Sequence, residues 1–253
     1  MRTRGERKEG GKEKLRIVNV NCQDLRNKKG PFLNLVDSTK PDIMILTETW
    51  FESDVVDSEY FSSNVTVHRR DRETHAGRVI IAVNSDYIST REESLERDDA
   101  ESVWVKINIT GCKSLFIGGF YRPHVSDIIN LEAFGDALSK LSKKSNSIVL
   151  VGGDFNFPGW DWKNKTLKPK TQYVNLHNIF ADTLADNGLS QLIEEPTRGK
   201  NTLDLIITNR PRHINRTKIL PGISDHLAPI YGHSHLHKQK CLLESTKWWR
   251  YIA

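Results

Sequence analysis

Apolar and polar positions alternate first over residues 15–21, Leu-Arg-Ile-Val-Asn-Val-Asn, a two-residue period that predicts a strand. A Lys/Gly/Pro break follows, after which Phe32, Leu35 and Val36 recur at the spacing of a short helix. Residues 42–48, Asp-Ile-Met-Ile-Leu-Thr-Glu, carry a continuous apolar run, as a strand covered on both faces would. Further β-rich runs lie at 79–83, 103–109, 115–121, 148–151, 203–208 and 227–231, rich in Val, Ile, Thr and Tyr and separated by Gly, Asn or Pro. Helical spacing returns at 128–141 and 173–187, where Gly188 supplies a C-terminal stop. Several strand-to-strand connections are too short for a helical crossover, so antiparallel pairing must be extensive. The pattern predicts one α/β domain over residues 15–232, a basic N-terminal tail at 1–14 and a tail or linker at 233–253.

A chain of 253 residues can bury a core without disulfide or metal staples. With 37% hydrophobic and 27% charged residues, it is neither collagenous nor disordered in composition. No stretch reaches the roughly 18 apolar residues of a membrane span, and residues 1–14 lack the apolar core of a signal peptide, so neither a membrane partner nor secretion is expected. Cys22, Cys112 and Cys241 are odd in number and widely spaced, which suits neither a disulfide framework nor a Cys-x-x-Cys zinc site. A reducing compartment, nucleus or cytoplasm, is the expectation. The net charge of +5 resides in the ends: residues 1–14 and 233–253 carry +3 each, and the body between them −1. A body that acts on a polyanion can have this balance if its carboxylates gather in one metal site and its basic residues line the rim.

The candidate chemistry sits at the C-terminal ends of apolar strands. Asn21 ends the first predicted strand, Glu48 the second and Tyr121 the run from Leu115, while Asp154 follows Ile-Val-Leu-Val-Gly-Gly. Side chains so placed converge on one rim of a sheet, where polar groups form sites rather than cores. Asp154 and Asn156 form an i, i+2 pair expected on one face of an extended segment, and the two preceding glycines allow close backbone approach. Asp204 stands inside the apolar run Leu-Asp-Leu-Ile-Ile, and a buried carboxylate needs a partner. His226, in Ser224-Asp225-His226, is the natural one, since a carboxylate fixes the imidazole tautomer and raises its basicity. Glu48, Asp154 and Asp225 offer oxygen ligands for a hard divalent cation, a set that suits phosphodiester hydrolysis.

Taken together, these residues resemble the exonuclease–endonuclease–phosphatase superfamily, and within it the apurinic-type endonuclease domain of non-LTR retrotransposons. The resemblance rests on Asn21-Cys22-Gln23-Asp24, Thr47-Glu48-Thr49-Trp50, Tyr121-Arg122-Pro123, Gly153-Asp154-Phe155-Asn156, Leu203-Asp204 and Ser224-Asp225-His226, six motifs in order across most of residues 15–232. Glu195-Pro196-Thr197-Arg198 and the Pro-Gly-Ile-Ser-Asp-His run at 221–226 are similar to the retrotransposon branch. Asp24 and the lead-in His75-Ala76-Gly77-Arg78 depart from the family pattern.

The resemblance implies a two-layer β-sandwich of mixed, largely antiparallel sheets flanked by helices. It implies a Mg²⁺-dependent endonuclease, with Mn²⁺ as a substitute, that nicks DNA to leave a 3′-hydroxyl for priming reverse transcription. Glu48 would be the principal metal ligand, supported by Asn21 and Asp225. Asp154 and Asn156 would place the water, Asp204 would hold His226 against the phosphate, and Tyr121 would contact the phosphate from the other side. Arg122 and Ser224 would bind substrate. Either Asp154 or His226 would take the proton from water. DNA is the expected partner, with element RNA and a reverse-transcriptase domain beyond the C-terminal linker. A repair endonuclease or phosphodiesterase of the same fold, and an inactive nucleic-acid-binding copy, are the alternatives.

Overall fold

A computed structural model describes residues 14–70, 77–108, 114–144 and 147–237. Cys112, Cys241, residues 1–13 of the expected N-terminal tail and residues 238–253 of the expected C-terminal one lie outside the described residues. In chain order, β1 (Lys14–Asn21) leads through α1 (Lys29–Thr39) to β2 (Ile43–Thr47), and β3 (Val65–Arg69), β4 (Ile80–Asn84), β5 (Ser89–Arg91), β6 (Ser102–Ile107) and β7 (Leu115–Tyr121) follow. Next, α2 (Ile128–Ser142) leads to β8 (Ile148–Asp154), a small hairpin of β9 (Trp160–Asp161) and β10 (Thr166–Leu167), and α3 (Val174–Asp186). The chain closes with β11 (Ser190–Gln191), β12 (Asp204–Thr208), β13 (Ile214–Leu220) and β14 (Ala228–His237).

Two six-stranded sheets result, one in the order β13-β14-β1-β2-β4-β3 and the other β11-β12-β8-β7-β6-β5. Only β1–β2 and β7–β8 pair in parallel; every other pairing among the described strands is antiparallel. Those two parallel pairs are the ones joined through α1 and α2, because a parallel return needs a long crossover whereas an antiparallel one closes in a short turn. Each sheet therefore has a parallel pair at its centre whose C-terminal ends emerge side by side.

Alternation along the strands builds three apolar layers. Ile17, Ile43, Ile45, Ile81, Val105, Ile117, Leu150 and Ile206 point between the sheets. Their neighbours Val18, Val20, Met44 and Leu46 face Phe32 of α1. On the other side, Val149, Val151, Phe116 and Leu205 face Phe134 of α2 and Phe180 of α3. Strands covered on both faces read as unbroken apolar runs. Helix α2 starts at Asp127, whose side chain accepts from the Asn130 N–H, and buries Leu131, Phe134, Leu138 and Leu141 at helical spacing. Helix α3 ends before Gly188, whose φ of +61° supplies the expected stop.

Boundaries shift at the first, eighth and last strands. The last strand continues to His237, which pairs with Lys14, so ordered structure extends past the expected limit at 232 and begins one residue before 15. The strand expected at 148–151 continues through both glycines to Asp154. Gly153 has φ +148°, and a Cβ there would sit 1.8 Å from the Phe120 carbonyl oxygen, so glycine is what lets β8 stay paired with β7 up to Asp154.

Candidate active site

The register of the strands assembles the site. Tyr121 pairs with Asp154 across β7–β8, and Asp154 pairs with Asp204 across β8–β12, so three polar side chains form a row on the end of one sheet. On the facing sheet Asn21 pairs with Thr47, and Glu48 follows it. The inward period of β1 that places Leu15 and Ile17 between the sheets also places Asn19 and Asn21 there. Asn21 bridges the two layers: its Nδ2 donates to Glu48 Oε1 at 2.8 Å and to Asp154 Oδ2 at 3.0 Å. Glu48 has φ +50° and Asn156 has φ +51°, left-handed conformations that cost a non-glycine residue about 1–2 kcal/mol and that recur at functional sites.

His226 comes from the loop before β14. Its Nδ1 bonds to Asp204 Oδ2 at 2.7 Å, and both side chains are buried. The loop folds back so tightly that a Cβ on Gly222 would lie 2.0 Å from the His226 carbonyl oxygen. Asp154, Asp204 and His226 each present a ligand atom within 4.8 Å of the others.

Electrostatics sets the protonation states. Burial, then the charges of Asp204 and Glu48, push Asp154 up to about 7, against the pull of His226 and the Asn156 N–H. Burial alone would lower the His226 imidazole, but the hydrogen bond and charge of Asp204 outweigh it and the pKa is raised. Burial and the charges of Glu48 and Asp154 hold the Tyr121 phenol far above its ordinary range, so it stays protonated and bonds to Glu48.

The residues fit a divalent cation. The buried carboxylates of Asp154 and Asp204 and the half-buried one of Glu48 crowd one rim, and Asn21 Oδ1 and Asp204 Oδ1 are buried oxygens without a hydrogen-bond partner. Hard oxygen donors of this kind, with uncompensated negative charge, are what Mg²⁺ or Mn²⁺ requires.

Asn21, Glu48, Tyr121, Asp154, Asp204 and His226 are thus brought together; the other candidates are not. Arg122 is fully buried and donates to the carbonyls of Val125, Asp127, Phe155 and Asn156, with its guanidinium 4.0 Å from the Phe157 ring centroid. Its donors are spent inside the protein, so it clamps loops instead of binding substrate. Ser224 is also engaged: its hydroxyl donates to the Asn21 carbonyl at 2.7 Å and accepts from the His226 N–H at 3.2 Å, which fastens the His226 loop to β1. Asp225 is half exposed; Arg198 Nε and Nη2 both lie 2.8 Å from its Oδ2, and its Oδ1 stands 4.0 Å from His226 Nε2. It lies at the edge of the buried group and not within it. Asn156 does not continue an extended segment, because β8 ends at Asp154 and the chain turns: the Asn156 N–H donates to Asp154 Oδ1 at 3.0 Å and its side chain to the Pro123 carbonyl. The Asp24 carboxylate accepts from Asn27 and lies 3.7 Å from Arg26 Nε.

Asn19 was not anticipated. It is fully buried one period below Asn21 and donates to the Gly153 carbonyl at 3.3 Å, tying the two central strands together beneath the rim. A second Asn in the inward phase of an apolar strand is the signal that marks it.

The fold is thus a four-layer αββα architecture with a His–carboxylate pair and clustered acids at its strand ends. Residues 18–226 match the model of the Endonuclease/Exonuclease/phosphatase family, and the chain belongs to that family. Among solved structures, it is similar to the endonuclease domain of TRAS1, a telomere-specific non-LTR retrotransposon, with TM-score 0.68 and 17% identity, covering 87% of this chain and 98% of that one. The AP endonuclease LMAP from Leishmania major gives 0.68 at 11% identity over 88% of each chain. The 3′–5′ exonuclease NExo from Neisseria meningitidis gives 0.63 at 14% over 86% of this chain and 99% of that one. No curated protein sequence matches the chain. Among the described residues, no helix is long and apolar enough to cross a membrane.

Proposed function

We propose that the protein is a divalent-metal-dependent DNA endonuclease, the nicking domain of a non-LTR retrotransposon, whose product is a 3′-hydroxyl and a 5′-phosphate. The observation that carries this reading is the convergence of the 2.7 Å Asp204–His226 bond with the Asn21–Glu48–Asp154 group on one rim. The likeness to the TRAS1 domain supports the retrotransposon assignment, and the motifs at 195–198 and 221–226 agree with it.

Glu48 and Asn21 would hold a Mg²⁺ or Mn²⁺ ion, with Asp225 at the edge; the cation would supply charge stabilisation for the phosphate and the departing oxygen. Asp154, held at about 7, is matched to accept a proton from water near neutral pH. The water oxygen attacks phosphorus as its proton passes to Asp154, and the bond to the 3′ oxygen breaks; that oxygen takes up a proton from solvent to become the 3′-hydroxyl. His226, kept basic by Asp204, donates from Nε2 to a phosphate oxygen, and the protonated Tyr121 hydroxyl stands by on the same row. Asn156 holds the Asp154 carboxylate in place through its N–H.

The 3′-hydroxyl would prime reverse transcription of element RNA by an associated reverse-transcriptase domain, in the nucleus or cytoplasm. The test is end-group analysis. Nicked plasmid from a reaction with Mg²⁺ should be extended directly by a DNA polymerase, whereas product that requires phosphatase treatment before extension would contradict the assignment.

A further inference from the structure

The outer edge of β12 loses its neighbouring strand before it reaches Asp204. Strand β11 pairs only with Ile207 and Thr208, and the last contact above it is the Leu192 N–H to the Ile206 carbonyl at 2.9 Å. Past that point the edge is closed by a side chain. The hydroxyl oxygen of Thr197 accepts the N–H groups of both Leu203 and Asp204 at 3.0 Å, in place of the missing strand.

Thr197 is fully buried, and its backbone is committed as well. Its N–H donates to the Asn201 carbonyl at 2.9 Å, closing a tight turn, and its carbonyl accepts the Leu227 N–H at 2.7 Å. One residue thus bonds to the backbone of Asp204 and to the backbone of the residue that follows His226. The next residue, Arg198, grips Asp225 just before His226. Asp204 begins β12 of one sheet and His226, 22 positions on, stands in the loop that leads into β14 of the other, so their mutual distance is set by whatever joins β12 to that loop.

We propose that Thr197 is a positioning residue: its hydroxyl sets the height of Asp204 on the rim, and its carbonyl sets the path of the His226 loop, so that the Asp204–His226 bond forms. This gives a role to the Glu195-Pro196-Thr197-Arg198 segment that the catalytic group leaves unexplained. The kinetic arm of its test rests on the nuclease reading above; the spectroscopic arm does not.

Thr197→Val removes the acceptor at constant shape, and Thr197→Ser restores it. In plasmid nicking with Mg²⁺, Thr197→Val should lose about 10- to 100-fold in kcat at unchanged KM, as expected for a small misplacement of an acid–base pair, and Thr197→Ser should return to within about threefold of wild type. In the same proteins without DNA, the low-field proton resonance of His226 Nδ1–H should be present in wild type and Thr197→Ser and weakened or lost in Thr197→Val. Thr197→Cys, close to Ser in shape and a poor acceptor, repeats the comparison should the Val variant not fold. Wild-type kcat with an unchanged low-field resonance in Thr197→Val or Thr197→Cys, or a Ser variant as slow as either, would overturn the proposal. Absence of cleavage by the wild type itself would overturn the nuclease reading, and the resonance would still decide the role of Thr197.

Discussion

Asp154 and Asp204 occupy directly paired positions on the antiparallel β8–β12 ladder, two buried carboxylates facing each other at the end of one sheet. Like charges opposite one another destabilise a sheet, so the fold carries a cost at this point that function must explain.

That cost depends on pH. Asp154 is raised to about 7 when folded, against about 3.9 for an unperturbed carboxyl, so the folded state binds more protons between these values. Its contribution is fully present below about pH 3.9 and is lost as pH rises through about 7. The metal-free protein should therefore lose thermal stability from pH 5 to pH 8, with His226 adding in the same direction. Asp154→Asn should flatten this fall, and Mg²⁺ at pH 8 should raise the wild-type Tm more than that of the variant. Equal pH slopes in wild type and variant, measured by thermal melts, would contradict the account.

Glu48→Ala should remove metal-dependent nicking while leaving the far-ultraviolet circular dichroism unchanged. Glu48 is half-buried at a strand end, where its carboxylate faces Asn21 and Tyr121 and fills no apolar space. Wild-type cutting by the variant would show that the metal lies elsewhere; loss of the folded spectrum would show that Glu48 is structural.

Arg122→Ala should act on stability, not on substrate affinity. Four carbonyl groups would lose their donor, and burying them unpaired should cost on the order of 3 kcal/mol or more. Chemical denaturation checks this. A variant as stable as wild type with a raised KM would return Arg122 to the substrate.

Gly153→Ala should not yield folded protein, since its Cβ would overlap the Phe120 carbonyl at 1.8 Å and the residue would have to hold φ +148°. Soluble Gly153→Ala with a native melting curve would contradict the register of β7 and β8.

The central strands were legible because burial on both faces writes itself as apolar runs, and both long helices because their buried faces repeat at helical spacing. The strands that escaped prediction include β3, β5, β11 and β13, which are the four edges of the two sheets. Edge strands are kept short or polar, so β5 has three residues and β13 reads Ile-Asn-Arg-Thr-Lys-Ile-Leu, without a period. In the site, residue type at a strand end was enough to find Asn21, Glu48, Tyr121 and Asp154, and a carboxylate inside an apolar run, with its need for a partner, was enough to find Asp204 and His226. It failed for Arg122 and Ser224, because what separates a substrate contact from an internal clamp is where the donor points, which depends on carbonyls far away in sequence. Thr197 was legible as part of a motif but not as a hydroxyl standing in for a missing strand.

Nicking of supercoiled plasmid with Mg²⁺ and with chelator, for wild type and Asp204→Asn side by side, tests the central claim most directly. Wild type should convert supercoiled to open-circular DNA only when Mg²⁺ is present. Asp204→Asn, which disrupts the acceptor that fixes the His226 tautomer, should be slower by roughly 10²–10⁴-fold while the Mg²⁺ concentration that half-saturates the reaction changes little. Cutting that persists in chelator, or an Asp204→Asn rate equal to wild type, would contradict the assignment of this rim as a metal-dependent nuclease site.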